Sequence, residues 1–191
     1  RRRHQVDTRA GTVARIVDRV VDVLSALEYV RGESTGATTL TSSGQTMRQI
    51  YGERDLLVSE ALRLGLWNDL DAASLAALAC CVVFEPRREE SGTGERGWPR
   101  GPFRAALGRT QDLWSNLDDL EQDHRLPGSE PLATGLTQAM YSWARGMPLD
   151  RVLDEADMAA GDFVRWTKQT IDLLDQLSIV GQPALAATAR R

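Results

Sequence analysis

The segment from residue 161 to residue 177 has the period of an amphipathic helix, and this period constrains the fold more than any other feature of the sequence. Asp162 follows a glycine and precedes the periodic run, where an N-cap is expected. The apolar stripe is predicted to consist of Phe163, Thr167, Ile171 and Leu174, widened by Trp166, Leu173 and Leu177. The opposite, polar stripe comprises Arg165, Gln169, Asp172 and Gln176, with Lys168 three residues after Arg165. Such a helix suits a solvated face of a bundle or a row of polar side chains along a nucleic-acid strand.

The same period recurs along the chain and predicts an all-α helical bundle of about seven to eight helices with at most a minor β element. Helices are predicted over 12–29, 45–64, from Asp71 as N-cap to Pro86, and over 102–123, 131–145, 148–157, 162–179 and 183–191. Gly65 is expected to end the second helix as a C-cap. The third helix is almost wholly apolar, so it should be the most buried.

Composition limits the classes of function. The chain has 191 residues and a net charge of −4, which argues against an autonomous nucleic-acid-binding module. No apolar run is long enough to span a membrane and no signal-peptide pattern is present, so we expect a cytoplasmic protein. Cys80 and Cys81 are adjacent in an apolar stretch and are predicted to be buried free thiols.

Several kinds of active site are excluded by residue type. A P-loop requires a lysine after a glycine-rich loop, and the only lysine, Lys168, follows Trp166 and Thr167. No cofactor is therefore expected in this chain. His4 and His124 are far apart and no cluster has metal-ligand spacing, so no metal site is predicted. The chain itself is expected to be non-catalytic.

An ordered set of segments resembles the C-terminal helical (DSHCT) domain of superkiller-type ATP-dependent RNA helicases, and most of all its actinobacterial HelY-type members. The resemblance covers about residues 8–189 and is carried by the order and spacing of the segments rather than by any one of them. The segments are Leu27–Val30, Thr39–Thr41, Ile50–Glu60, Gly65–Leu70, Leu75–Leu78, Val83–Arg87, Gly161–Trp166 and Asp172–Gln176.

The resemblance implies an accessory domain of a superfamily 2 helicase that guides single-stranded RNA or DNA through the motor. RecA-like motor domains, which bind ATP and Mg and are absent from this chain, would be its partners in the same polypeptide. Glu85 and Arg165 would face the strand, and Lys168 and Gln169 would extend the polar track. Residues 1–44 would join the domain to the preceding part of the helicase, and 45–191 would form the bundle, with a flexible loop at 86–102. The family continues past the last helix, so the natural terminus is expected beyond Arg191.

Alternatives remain open for these residues. Glu85 could instead form a salt bridge to Arg87, Arg88 or Arg165, and Arg165 could lie on a solvated helix face. The domain could equally be a helical scaffold that docks protein partners through its arginine-rich start and the loop from Arg87 to Arg100, without nucleic-acid contact. Nothing in the sequence distinguishes RNA from DNA.

Overall fold

The computed structural model describes residues 2–32, 37–86 and 97–191, with side chains from Val13 onwards in the first helix. The chain forms two compact units. The first unit comprises Arg1–Arg48 and Ser115–Glu130, and the second comprises Gln49–Trp114 and Pro131–Arg191. The predicted loop at 86–102 falls largely on residues 87–96, which lie outside the described residues.

The elements follow one another as helices with a single small hairpin, which confirms the all-α prediction. In the described part of the chain there are nine helices and two strands. They are α1 (Arg2–Ala26), β1 (Val30–Arg31), β2 (Thr39–Leu40), α2 (Ser42–Met47), α3 (Asp55–Arg63), α4 (Ala72–Val83), α5 (Phe103–Asp123), α6 (Thr137–Ala144), α7 (Leu149–Ala156), α8 (Ala160–Val180) and α9 (Pro183–Ala189). No described helix combines the length and the apolar character needed to cross a membrane.

The first unit is organised around the turn after α1. The strands β1 and β2 pair antiparallel, with Val30 opposite Leu40. Thr41 then caps α2, because its hydroxyl oxygen accepts a hydrogen bond from the N–H of Gly44 at 3.1 Å. Gly44 packs so tightly against the carbonyl of Tyr29 that a Cβ atom would collide with it.

The core of the second unit is built on α4, as its apolar sequence predicts. Nine of the twelve residues of this helix are buried, including both cysteines, which are free thiols. Asp71 caps the helix as predicted: its carboxylate accepts from the N–H of Ser74 at 2.8 Å. Helix α4 packs against α6 and α8, and the shared cluster includes Phe84, Phe163 and Trp166.

The predicted helix over 45–64 is wrong, because α2 ends at Met47 and α3 begins only at Asp55. In the intervening loop, Ile50 is buried, so its side chain joins the core without helical backbone. The helix ends beside Gly65 as predicted, but the C-cap of α3 is Leu64, and Gly65 follows it with a left-handed φ of +64°.

The details of α8 also differ from the sequence pattern. Ala159, not Asp162, is the N-cap, and Asp162 lies in the first turn, where a carboxylate interacts favourably with the helix dipole. Ile171 is 49% exposed, so the predicted stripe is displaced. The buried positions are Phe163, Trp166, Thr170, Leu173 and Leu177.

Three other helix boundaries differ. Helix α1 begins about ten residues earlier than predicted, at Arg2, and α6 begins only at Thr137, six residues after the predicted start. Helix α9 ends at Ala189 instead of continuing to the last residue.

Candidate functional site

A cleft of about 660 Å³ opens on the second unit, between the 50–54 loop, the first turns of α3, the end of α4 and one face of α8. We call it the α8 cleft. The side chains that carry its chemistry are Tyr51, Glu53, Arg54, Asp55, Glu85, Arg165, Gln169, Asp172, Asp175 and Gln176.

A buried aromatic pair brings the two sides of the α8 cleft together. The rings of Phe84, at the end of α4, and Trp166, on α8, meet edge to face with centroids 5.2 Å apart and an interplanar angle of 88°. Both side chains are buried. Glu85 and Arg165 are their immediate neighbours in sequence, so the packing of the apolar pair places these two exposed charged residues in one cleft.

The Arg165 guanidinium group lies over the ring of its neighbour Trp166. Its guanidinium carbon is 4.8 Å from the centroid of the Trp166 ring, within the range of a cation–π contact. Stacking uses the face of the guanidinium group and leaves its N–H edge for hydrogen bonding.

Two carboxyl groups adjoin each other in the cleft. A hydrogen bond that protonated Glu85 donates to the Glu53 side chain raises the pKa of Glu85 above its usual value, and desolvation and the negative charge of Glu53 act in the same direction. The positive charges of Arg54 and Arg165 oppose this shift. Glu85 therefore keeps its proton to a higher pH than an isolated glutamate does.

The 50–54 loop is held against α8 by one amide side chain. The N–H of Tyr51 donates to Oε1 of Gln176 at 2.6 Å, and Nε2 of Gln176 donates to the Tyr51 carbonyl at 3.3 Å. The backbone of Tyr51 is fixed in this way, yet its side chain is 76% exposed. The Tyr51 ring therefore lies exposed to solvent in the lining of the cleft.

Comparison with known proteins identifies the family. The model of the DSHCT (NUC185) domain matches residues 37–191. This chain belongs to the DSHCT domain family. It is 38% identical over 197 aligned residues to "Probable helicase HelY" of Mycobacterium leprae, covering 98% of this chain and 21% of that protein. It is 24% identical to "Exosome RNA helicase MTR4" of Homo sapiens, covering 76% of this chain and 14% of that protein. The chain thus spans about a fifth or less of the length of these curated relatives.

The structure of this DSHCT domain places three of the four predicted site residues together. Glu85, Arg165 and Gln169 line the α8 cleft. Lys168 is exposed on α8 but does not belong to the cleft lining. Arg87 and Arg88, the other candidate salt-bridge partners of Glu85, lie outside the described residues.

The polar and aromatic cleft residues of the 51–55 segment were not predicted from the sequence, namely Tyr51, Glu53, Arg54 and Asp55. They stand in a segment that the apolar period assigns to a helix, and on a helix they would have looked like ordinary surface residues. The signal that could have revealed them was the glycine at position 52, directly after an aromatic residue, since glycine disfavours a helix interior and favours a loop.

The charge balance of the cleft limits what the DSHCT domain can bind there. Among the described residues, five carboxyl groups line it against two guanidinium groups, those of Arg54 and Arg165. Burial raises the pKa of one of these acids, Asp55. An acidic lining repels phosphate groups, whereas its carboxylates accept hydrogen bonds from N–H donors.

Proposed function

We propose that this chain is the accessory C-terminal domain of an ATP-dependent helicase, and that the α8 cleft guides single-stranded RNA or DNA during unwinding. Two relatives that match it are named helicases, and one of them is named an RNA helicase. ATP and Mg would be bound by RecA-like motor domains of the same polypeptide. The observation that carries the proposal is the juxtaposition of Glu85 and Arg165 in an open cleft with an exposed aromatic ring.

The cleft is suited to bases more than to phosphates. Tyr51 offers an exposed ring on which a base stacks, and such stacking is worth about 1–3 kcal/mol per base. Glu53 and Glu85 supply acceptors for the amino groups of bases, which carry N–H donors on their edges. The edge of the Arg165 guanidinium supplies donors for base carbonyl oxygens. The stacking contact tolerates any sequence, because every base offers a flat face, and guidance of a moving strand requires this tolerance.

A binding assay with this chain tests the base contacts. We expect Tyr51→Ala to weaken the binding of a fluorescent single-stranded oligonucleotide by about 5- to 150-fold, the equivalent of about 1–3 kcal/mol. Tyr51→Phe keeps the ring and should bind as the wild type does. Because the contacts are to bases, Tyr51→Ala should leave the salt dependence of binding unchanged.

An unwinding assay tests the role in the motor. In the polypeptide that carries the motor domains, Arg165→Ala and Glu85→Ala should abolish unwinding while basal ATP hydrolysis continues. Lys168→Ala, on the same helix but outside the cleft, is the matched comparison and should retain unwinding. Folded Arg165→Ala and Glu85→Ala proteins that unwind normally would refute guidance and favour the protein-docking scaffold.

A further inference from the structure

A second concave site lies on the second unit, formed by the turn before α5, the first turn of α5 and the end of α6. Its volume is about 820 Å³. Five side chains define this arginine pocket: Trp98, Arg100, Arg104, Tyr141 and Arg145. Among the described residues its lining holds three arginines and no carboxylate, whereas acidic residues outnumber arginines in the α8 cleft.

The pocket wall is anchored in the core. Trp98 meets the fully buried Phe103 edge to face, with centroids 6.1 Å apart, and Pro99 beside it is also buried. Gly97, with a φ of +86°, starts the turn, and a Cβ there would lie only 2.6 Å from the Gln138 side-chain amide carbon. The turn that carries Arg100 is therefore held in place by packing.

Two of the arginines are stacked on the aromatic residues of the pocket. The guanidinium carbon of Arg104 lies 5.8 Å from the Trp98 ring centroid, and that of Arg145 lies 5.5 Å from the Tyr141 ring centroid. Arg145 also donates one N–H to the Tyr141 hydroxyl at 3.0 Å. A stacked guanidinium group presents its donors at the edge, in the fork geometry that matches a phosphate.

Helix α5 adds to the positive potential of the pocket. Arg104 lies in its first turn, which contains no acidic side chain, and Arg100 precedes the helix. A helix N-terminus carries partial positive charge and favours anions. Arg100 and Arg104 therefore interact unfavourably with the dipole of α5, and their charges add to its positive end. The negative charge of Asp71 reaches Arg145. Its carboxylate already caps α4.

We propose that the arginine pocket binds the phosphate groups of single-stranded nucleic acid. Three guanidinium groups and a helix N-terminus concentrate positive charge in a domain whose net charge is −4, so the pocket is a localised anion site. The aromatic rings hold Arg104 and Arg145 in place, and the outer face of a stacked guanidinium group is a surface on which a base can stack beside the phosphate contacts. The inference shares its ligand class with the proposed function but rests on different residues.

The test measures oligonucleotide binding to this chain as a function of salt, with uridine and thymidine oligonucleotides of about twelve residues. Each phosphate bound on a single strand contributes about 0.7 to the slope of log K against log salt. We expect Arg100→Gln and Arg145→Gln each to weaken binding. Each should also reduce the magnitude of the slope by about 0.7 for every phosphate that the variant no longer neutralises. The indole N–H resonance of Trp98 should shift when the oligonucleotide is added.

The control is Arg151→Gln, which removes the same charge from an exposed position on α7. An equal effect of all three substitutions would show only general electrostatics and overturn the proposal. So would a Trp98 resonance that responds to inorganic phosphate at matched ionic strength but not to the oligonucleotide, or one that an oligoglutamate peptide shifts at lower concentration. Thermal unfolding of each variant confirms that it is folded.

Failure of this proposal is distinguishable from failure of the proposed function. Tyr51→Ala reports on the α8 cleft and should leave the salt slope unchanged, whereas Arg100→Gln should change it. If Tyr51→Ala alone weakens binding, the arginine pocket is not a nucleic-acid site and guidance by the cleft stands. If Arg100→Gln and Arg145→Gln alone weaken binding, the arginine pocket is a nucleic-acid site and guidance by the α8 cleft is refuted.

Discussion

The contact between Phe84 and Trp166 should show a measurable coupling energy, because it positions the two sides of the α8 cleft. The side chains are 6% and 7% exposed and meet edge to face at 5.2 Å. An aromatic pair of this geometry contributes about 0.5–1.5 kcal/mol beyond the burial of its area. We therefore expect a double-mutant cycle of Phe84→Leu and Trp166→Leu to give a coupling of that size. Leucine keeps each site apolar, so the cycle isolates the ring–ring term better than alanine would.

Urea unfolding gives the free energies for this cycle. Far-ultraviolet circular dichroism and tryptophan fluorescence should give coincident transitions, which establishes whether a two-state analysis holds. The Trp143–Phe163 pair serves as a comparison: its centroids are 6.1 Å apart and Trp143 is 38% exposed, so its coupling should be smaller. Independent sites are additive to within about 0.3–0.5 kcal/mol. A Phe84–Trp166 coupling within that range would refute the idea that this pair fixes the cleft.

Three further outcomes follow from single contacts. Asp71→Ala should destabilise the domain by about 1 kcal/mol in urea unfolding, because the N-cap of α4 is removed, whereas Asp71→Ser should retain most of the stability. Gly44→Ala should destabilise it by about 1–3 kcal/mol through the collision with the Tyr29 carbonyl, and wild-type stability in that variant would contradict the packing. The carboxyl carbon of Glu85, followed by NMR, should titrate above the usual value of 4.5, and Glu53→Gln should lower its pKa. The folded state holds the proton of Glu85 more tightly than the unfolded chain does. The stabilisation by the Glu53–Glu85 contact is therefore present at low pH and is lost as the pH rises through the pKa of Glu85. Glu85→Gln should remove that pH dependence of stability.

The parts of the fold that were predictable from sequence are those fixed by local interactions. Asp71 followed by an apolar run predicts both the start of α4 and its burial, because the cap and the core face use residues close in sequence. The left-handed conformation of Gly65 likewise depends on residues close to it in sequence. The break between α2 and α3 was not predictable in this way, since buried Ile50 fits a helical period although its backbone is not helical.

Helix α8 shows that the spacing of apolar residues alone does not decide which face of a helix is buried. Apolar residues occur around much of the helix, so the period alone left the buried stripe uncertain by one residue per turn. The structure buries Thr170 and exposes Ile171. The threonine hydroxyl is satisfied within the helix, because it donates to the Trp166 carbonyl at 2.9 Å. A polar residue that satisfies itself locally can lie in a core, and a hydrophobicity pattern does not register this.

The candidate site was less predictable still. Glu85 and Arg165 were named because of a family resemblance, and no periodicity joins two residues that are so distant in sequence. Their proximity depends on the tertiary packing of Phe84 on Trp166. Tyr51 is placed by the Gln176 side chain, again across a long separation.

The opposite charges of the α8 cleft and the arginine pocket make different demands on a bound strand. An acidic cleft with one exposed ring gains little from phosphates, so its contribution to affinity is limited to about the stacking of a base and a few hydrogen bonds to its edge. The stacking contact is exchanged from one base to the next at similar energy, because every base offers a flat face. A lining of many cations would instead hold the backbone strongly and oppose its movement. In the proposed helicase, the acidic character of the cleft thus favours movement of the strand, while tight binding to phosphate is confined to residues outside the cleft.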